Sequence, residues 1–242
     1  MGQAIARSAD EGDQYRIVAG VDINADAIAP VCSFPVYQKI SEFPDKADVI
    51  IDFSHHSSLP SLVEYAVATK TPIVVCTTGH TEEEKALMED ASKHTAVFFS
   101  GNMSIGINLL IELCKTASAT LGMNFDVEII EKHHNQKLDA PSGTAIMIAD
   151  AIGATREKTE YVYDRHEVRR KRSPAEIGIH SVRGGTIVGE HEVLFAGSNE
   201  TISITHSANS REIFAAGALK AAAYLTAKTE GKYDMSDMIN GR

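Results

Sequence analysis

Apolar and polar residues alternate over the first part of the chain in the rhythm of buried strands and amphipathic helices. Four segments have the continuous apolar centre of strands buried on both faces of a parallel sheet, namely residues 15–22, 48–53, 71–78 and 96–100. Helical spacing occurs before the first of them, at residues 3–9, and between later ones, at residues 57–69 and after the capping and acidic residues 81–84. Strands that alternate with helices predict a parallel sheet covered by helices.

The pattern changes in the second half of the chain. A long helical segment, 104–121, is followed later by closely spaced extended segments at 177–183, 186–196 and 201–207. Short turns between such strands predict an antiparallel or mixed sheet packed on helices. The alanine-rich segment 211–228 is amphipathic and is expected to return to the first sheet. We therefore predict an α/β protein of two domains, a parallel-sheet domain formed by residues 1–104 and 213–242 and an α+β domain formed by residues 105–212.

Small and acidic residues follow the predicted strands of the first domain, where Rossmann-type sheets bind dinucleotides. Asp22 ends its strand twenty residues after Gly2, the separation expected between a glycine turn and the acid that binds the adenosine ribose. Residues at the later strand ends are expected to border a nicotinamide and its ribose: Thr77, Thr78, Gly79, Ser100, Gly101, Asn102 and Met103.

The beginning of the chain departs from the Rossmann pattern. Met1 and Gly2 lead straight into a helix, without the first strand and the first two glycines of a G-x-x-G-x-x-G turn. That turn brings backbone N–H groups to the pyrophosphate. We favour truncation over a true variant, because nothing later in the chain replaces the strand, and we expect this chain to bind NADH weakly.

A polar stretch between a predicted strand and a predicted helix carries the densest candidate chemistry. His133, His134 and Lys137 come within five positions, directly after a strand of β-branched residues. Ser142 then caps a helix over residues 145–152, and its small side chain leaves the first helical N–H groups open. A helix N-terminus beside two imidazoles and an ammonium group predicts a site for a small anion that exchanges protons.

Composition narrows the class of protein. The net charge of −10 argues against a nucleic-acid partner, and no apolar run is long enough to span a bilayer. The cysteines, Cys32, Cys76 and Cys114, form no C-x-x-C pair, which indicates a reducing, cytoplasmic setting. We predict solvated loops for the basic run 169–172 and for the His55-His56 pair.

The polar stretch resembles the motif E-x-H-H-x-x-K-x-D-x-P-S-G-T-A of the 4-hydroxy-tetrahydrodipicolinate reductases, the dihydrodipicolinate reductases of bacterial lysine and diaminopimelate synthesis. The match runs without a gap from Glu131 to Ala145. Shorter matches occur at residues 52–54, 77–79, 101–104, 189–191, 204–206 and 210–211. The resemblance covers essentially the whole chain, apart from the family's N-terminal strand and most of its glycine turn.

The resemblance implies an oxidoreductase that reduces a cyclic, unsaturated dicarboxylate with a nicotinamide cofactor. By this resemblance His133 is the general acid/base and Lys137 the proton donor. His134, with Ser142 and the amides of Gly143 and Thr144, belongs to the substrate-binding group. Fixed positive charge at these positions suits a dianionic ring on which negative charge develops as hydride arrives.

The resemblance also bears on assembly and cofactor choice. The family typically forms a homotetramer through the sheet of its second domain, with the C-terminal helix rejoining the first. Asp22 favours a free ribose 2′-hydroxyl and therefore NADH, since Ile23 and Asn24 offer no cation for the 2′-phosphate of NADPH. The use of both cofactors stays open, because Arg16 is a cation that could reach the 2′-phosphate.

Three other interpretations compete with the reductase. A zinc enzyme built on His133, His134 and Asp139 lacks an H-E-x-x-H or cysteine set to complete the ligands, and we predict no metal site. A different Rossmann oxidoreductase would leave the motif unexplained. An N-terminally truncated, cofactor-deficient paralogue that acts as a non-catalytic assembly protein stays open, and NADH titration separates it from the enzyme.

Overall fold

The computed structural model describes residues 1–166 and 168–241, so Arg242, the last residue of the predicted first domain, lies outside the described residues. The chain divides into two compact units, one formed by Met1–Ser104 and Glu212–Arg242 and the other by Ile105–Arg211. The division falls before Glu212, one residue earlier than the boundary we placed from the sequence. None of the helices in the described ranges has the length and apolar character needed to cross a membrane.

Within the described residues the chain forms eleven strands and eight α-helices. The strands are β1 (Gly20–Val21), β2 (Val36–Tyr37), β3 (Ile50–Asp52), β4 (Ile73–Val75), β5 (Ala96–Phe99), β6 (Asp126–His133), β7 (Glu160–Val162), β8 (Glu176–Arg183), β9 (Gly189–Ala196), β10 (Thr201–Ala208) and β11 (Gly231–Tyr233). The helices are α1 (Gly2–Asp10), α2 (Ala25–Ile28), α3 (Leu59–Thr69), α4 (Glu82–Ala91), α5 (Ile105–Leu121), α6 (Gly143–Gly153), α7 (Glu212–Leu225) and α8 (Met235–Asn240).

The first unit contains the predicted parallel sheet. Its four strands follow the order β11-β5-β4-β3, and every neighbouring pair is parallel. Strand β4 is buried throughout, as its continuous apolar run predicts. Helix α4 begins with the predicted cap, in which Thr81 and Glu84 bond each other's backbone N–H groups. The parallel α/β architecture of this unit is therefore confirmed.

The predicted strand 15–22 is wrong over most of its length. Only Gly20–Val21 forms a strand, and it pairs in parallel with β2 in a separate two-stranded sheet. In the described part of the chain no strand hydrogen-bonds to residues 15–19, and an extended segment needs a ladder partner to become a strand. The apolar residues that suggested a strand, Tyr15 and Ile17, instead pack on the α1–α7 cluster around Ile5 and Leu219.

The second unit contains a mixed sheet, as predicted. Its order is β10-β9-β6-β8-β7, with β6 parallel to β8 and antiparallel to β9. Helices α5 and α6 cover one face of this sheet, and that face is apolar at Val127 and Ile129 of β6. Because side chains alternate along a strand, Glu131 and His133 emerge on the same covered face as those two residues. Along this face of β6 the side chains therefore change from apolar to polar and titratable.

The basic run 169–172 is only in part the solvated loop that we predicted, since Arg169, Arg170 and Lys171 are exposed but Arg172 is not. The side chain of Arg172 is 17% exposed, and it bonds the carboxylates of Asp126 at 2.7 Å and Glu128 at 2.9 Å. Arg170 lies 2.6 Å from the buried carboxylate of Glu176. The acids stand on the sheet face opposite α5 and α6, so the basic segment packs over that face through paired charges.

Candidate active site

The polar end of β6 is built around one buried carboxylate. Glu131 is fully buried, and Arg183 donates to both of its oxygens, at 2.8 and 2.7 Å. Nδ1 of His133 lies 2.6 Å from the same carboxylate, and the backbone N–H of Ser142 donates to it at 3.1 Å. Arg183 also donates to the carbonyl of Asp139 at 2.7 Å. A single side chain thus connects β6, β8, the loop after β6 and the start of α6.

These contacts decide the charges at the strand end. Burial raises the pKa of Glu131, but the hydrogen bonds from Arg183 and His133 outweigh it and bring the value to about 2. Burial lowers the pKa of His133, Glu131 opposes this, and the cations of Lys137 and Arg183 lower it further. At neutral pH the carboxylate is therefore ionised and the imidazole of His133 is neutral.

Ser142 caps α6, as predicted. Its Oγ accepts a hydrogen bond from the N–H of Ala145 at 3.1 Å and lies 3.0 Å from Nε2 of His191. The side chain is buried and its polar atoms are bonded within the protein, so its part in the site is to hold the helix start. Gly143, in contrast, is exposed, and a Cβ at this position would meet nothing within 4 Å. A ligand can therefore approach the first helical amides closely.

His134 and Lys137 stand in the turn after β6. The N–H of Lys137 bonds the carbonyl of His134 at 3.2 Å, which closes the turn. The Lys137 ammonium group lies 2.8 Å from Asp139, whose pKa it lowers. Its side chain is 21% exposed, so the charge is held beside solvent rather than buried. The five residues from His133 to Lys137 thus concentrate titratable groups next to the start of α6.

Two residues at this strand end escaped the sequence interpretation. Arg183 is the register partner of His133 on β8, and His191 is the register partner of Glu131 on β9. His191 is 4% exposed, its ring centre lies 5.3 Å from that of His133, and burial lowers its pKa to about 4. The 189–191 match with the reductases had pointed to His191 without a role. No local sequence signal marks Arg183, because the strand register that places it is a tertiary property.

The first unit holds the predicted cofactor residues at the ends of its strands. Asp22 directly follows β1, and its Oδ1 accepts a hydrogen bond from the N–H of Asn24 at 2.8 Å. Gly2 is the first residue of α1 and is exposed. The Asp22 carboxylate has a second oxygen for a ribose hydroxyl, which fits the predicted role of this residue.

The loop after β4 leaves its backbone open at Gly79. Thr78 and Gly79 are exposed, Gly79 has φ +82°, and an added Cβ there would meet nothing within 4 Å. Thr77 is buried and donates to Asp52 at 3.2 Å and to the carbonyl of Ser54 at 3.0 Å. Asp52, which the sequence suggested only as part of a family match, therefore fixes the loop. The backbone of Gly79 leaves room for a ligand.

The loop after β5 is held by its own side chains. Oγ of Ser100 donates to the carbonyl of Asn102 at 2.8 Å, and Oδ1 of Asn102 accepts from the N–H of Ser104 at 2.8 Å. Gly101 is exposed between them. Met103 is 2% exposed, and its carbonyl lies so close to Gly217 of α7 that any larger residue at 217 would overlap it. The loop geometry thus depends on close packing behind it.

We predicted that both histidines after β3 are solvated, and this is wrong for one of them. His55 is exposed, but Nδ1 of His56 lies 2.9 Å from Glu84. His80 is buried, and its Nδ1 lies 3.4 Å from the same carboxylate. Glu84 also caps α4 by bonding the N–H of Thr81 at 2.8 Å. These contacts anchor the loop that follows Gly79.

Two family models match the chain. The model described as dihydrodipicolinate reductase, N-terminus, matches residues 1–103, and the model described as dihydrodipicolinate reductase, C-terminus, matches residues 106–239. The 4-hydroxy-tetrahydrodipicolinate reductase of Caldanaerobacter subterraneus subsp. tengcongensis is 53% identical over 240 residues, which cover 99% of this chain and 94% of the relative. That of Clostridium tetani is 48% identical over 241 residues, which cover 99% and 93%.

A solved structure agrees with the sequence relatives. The dipicolinate-bound dihydrodipicolinate reductase from Paenisporosarcina sp. TG-14 superimposes with a TM-score of 0.78 at 25% identity, covering 98% of this chain and 94% of that chain. The similarity therefore extends over both units.

Proposed function

The chain belongs to the dihydrodipicolinate reductase family, and we propose that it reduces 4-hydroxy-tetrahydrodipicolinate to tetrahydrodipicolinate with NAD(P)H, a step of lysine and diaminopimelate synthesis. The observation that carries the assignment of roles is the polar end of β6, where His133 and Lys137 adjoin the open start of α6. This arrangement combines proton exchange with anion binding in one unit.

The start of α6 is proposed to bind a substrate carboxylate. The first amides of a helix carry the positive end of its dipole, which attracts an anion. Gly143 and Thr144 supply these amides, Ser142 holds them in place, and the exposed backbone of Gly143 admits the ligand. His134 is proposed to donate to the same carboxylate. Dipicolinate, the ligand of the Paenisporosarcina relative, carries two carboxylates on one ring, as this interpretation requires of a ligand.

His133 and Lys137 are proposed to handle the proton. When bound, NAD(P)H supplies the hydride, and negative charge then develops on the ring. Lys137 donates a proton to this charge and stabilises it as a compact cation. His133 exchanges protons as general acid/base, which suits an imidazole that is neutral at pH 7.

The strand ends of the first unit are proposed to hold the cofactor. Asp22 binds the adenosine ribose and favours NADH over NADPH, with Gly2 near the pyrophosphate. The backbone at Gly79 approaches the nicotinamide end, and the buried hydrogen bonds of Thr77 keep the loop in position. The remaining proposed contacts are Thr78, Ser100, Gly101, Asn102 and Met103.

We further propose a homotetramer formed through the sheet of the second unit. The face of this sheet opposite α5 and α6 exposes Val182 by 45%, and the strand β10 forms one edge of the sheet. The basic segment covers part of this face, and the exposed remainder together with the β10 edge favours association with further copies. Light scattering of the purified protein tests the assembly, and a monomer at micromolar concentration would refute it.

The activity is tested with purified protein and freshly generated substrate, by following the loss of reduced nicotinamide absorbance. Turnover is expected once NADH is saturating, with a smaller kcat/KM for NADPH. Dipicolinate should compete with the substrate, and a crystal soaked with it should place one carboxylate at the amides of Gly143 and Thr144. Absence of turnover with both cofactors would refute the activity, whereas dipicolinate bound elsewhere would refute the substrate site alone.

A further inference from the structure

Four hydrogen-bond contacts surround the carboxylate of Glu131. Each oxygen receives an Arg183 N–H group, one also receives the N–H of Ser142, and the other faces Nδ1 of His133 at 2.6 Å. The side chain is fully buried and has no route to a ligand of its own. What Glu131 does for the reaction must therefore pass through its neighbours.

The contact with His133 selects one form of the imidazole. An ionised carboxylate only accepts hydrogen bonds, so the ring nitrogen facing it must carry the proton. A neutral imidazole has one protonated nitrogen, which leaves Nε2 as an unprotonated acceptor. A Cβ on Gly189 would stand 3.1 Å from this Nε2, so the glycine at that position keeps the space beside the reactive nitrogen narrow but open.

We propose that Glu131 is a positioning residue: it holds the Nδ1–H of His133 so that Nε2 exchanges the proton, and Arg183 keeps Glu131 in its ionised form. This inference rests on the proposed function, because it assumes that His133 is the acid/base. Hydrogen-bonded partners of this kind fix the tautomer and ring orientation of functional histidines. Neither Glu131 nor Arg183 touches the substrate in this scheme.

The other charged groups around His133 act in a consistent direction. Lys137 follows in the turn after β6, Arg183 lies on β8, and His191 packs its ring against that of His133 from β9. Both cations disfavour the imidazolium ion, and Glu131 is the group that favours it. Loss of the Glu131 charge should therefore make His133 harder to protonate.

The test reads His133 directly, without turnover. The protein is labelled with ¹⁵N-histidine, and magic-angle-spinning NMR reports the tautomer and titration of each ring, with His133→Asn used for assignment. In the wild-type protein we expect neutral His133 to carry its proton on Nδ1. In Glu131→Gln, which keeps an oxygen but removes the charge, the pKa of His133 should fall by about one unit. The acidic limb of kcat/KM should shift by the same amount, with a larger change in kcat than in KM.

Glu128→Gln is the matched control. Glu128 stands on the same strand but on the opposite face, where it bonds His180 at 2.7 Å. This variant should leave the tautomer and pKa of His133 unchanged, and an equal shift in both variants would overturn the proposal. If Glu131→Gln does not fold, the wild-type tautomer still decides, since an Nε2–H form refutes the inference. Full turnover by His133→Asn would instead refute the acid/base role that we propose for His133, on which this inference rests, and would leave the NMR result standing.

Discussion

The two faces of β6 carry the same residue types in different arrangements. On the face covered by α5 and α6, Glu131 bonds Arg183 and His133. On the opposite face, Glu128 bonds Arg172 at 2.9 Å and His180 at 2.7 Å. Each cluster contains a carboxylate, a guanidinium and an imidazole. Residue type alone therefore does not distinguish a site from a structural contact.

Redundancy and position make the difference. Glu128 shares Arg165 with the buried Glu176, and Arg170 also pairs with Glu176, so each acid keeps a cation if one is lost. Among the arginines that the structure describes, only Arg183 pairs with Glu131, and this cluster ends at the exposed start of α6. We propose that the polar groups of the covered face serve a ligand, whereas the ion pairs of the opposite face hold the segment around Arg172 against β6.

The largest expected effect is a loss of kcat on replacing Lys137, compared with replacing a lysine on the opposite face of β6. Lys137→Ala should reduce kcat by about 10²–10⁴-fold, because the proposed proton donor is lost, with little change in melting temperature. Lys132, which pairs with Glu190 at 2.9 Å on the opposite face, provides the control. Lys132→Ala should retain both kcat and the melting temperature, because exposed ion pairs contribute little to stability. Steady-state kinetics and thermal melts measure both, and equal kcat in the two variants would contradict the role of Lys137.

Loss of a single arginine should expose the difference in redundancy. Arg183→Ala leaves the buried Glu131 charge without its arginine and should lower the free energy of unfolding by about 3–5 kcal/mol. Arg165→Ala removes a partner from two acids that each keep another, and should cost about 1 kcal/mol or less. Denaturant titrations of both variants provide the comparison. Similar costs would show that redundancy does not matter.

The covered face should also respond to acid through His191. Burial lowers its pKa from 6.5 to about 4, so below pH 6.5 the unfolded chain binds a proton that the folded protein does not. The associated stabilisation, about 3 kcal/mol, is present above pH 6.5 and is lost as the pH falls to about 4. In His191→Gln the free energy of unfolding should therefore change less between pH 6.5 and 4 than in the wild-type protein.

A second acid step should remain in that variant. The pKa of Glu131 is lowered from 4.5 to about 2, so its stabilisation is present above pH 4.5 and is lost as the pH falls towards 2. Denaturant unfolding at a series of pH values resolves the two steps. An unchanged slope between pH 6.5 and 4 in His191→Gln would contradict the assignment to His191.

The smallest expected effect lies on the opposite face. A Cβ at Gly178 would overlap the Glu128 carboxylate, so Gly178→Ala must displace it from His180 and should cost about 1–3 kcal/mol without changing kcat. Gly12→Ala, where an added Cβ meets nothing within 4 Å, is the control and should be neutral or slightly stabilising. A stability loss of similar size at both glycines would show that the overlap is relieved elsewhere.

Sequence periodicity predicted an element correctly wherever the apolar pattern of that segment alone determines its structure. Helix α6 and its cap at Ser142 follow from a small polar residue before an apolar run. The strand at residues 15–22 was overpredicted, because apolar spacing reports burial and does not report whether a ladder partner lies beside the chain. The short strands β7 and β11 were missed, since three residues carry too little periodicity to recognise.

The residues of the candidate site likewise fall into those that a local motif predicts and those that only strand register brings together. His133, His134 and Lys137 were predictable because they are contiguous and match a family motif. Arg183 stands 52 positions from Glu131 and reaches it only through the parallel register of β6 and β8. The basic residue Arg172 was assigned to solvent because its acidic partners lie on β6, 44 and 46 positions away.

By itself, the sequence determined where strands and helices alternate, which turn holds the imidazoles and the lysine, and which family the motif matches. These are properties of neighbouring residues, and local backbone preference and apolar spacing are enough to specify them. The tertiary structure alone decided which carboxylate is buried, which arginine keeps it ionised and which histidine nitrogen faces it. Electrostatic energy depends on distances through space and on burial, and neither quantity can be read from the amino-acid sequence.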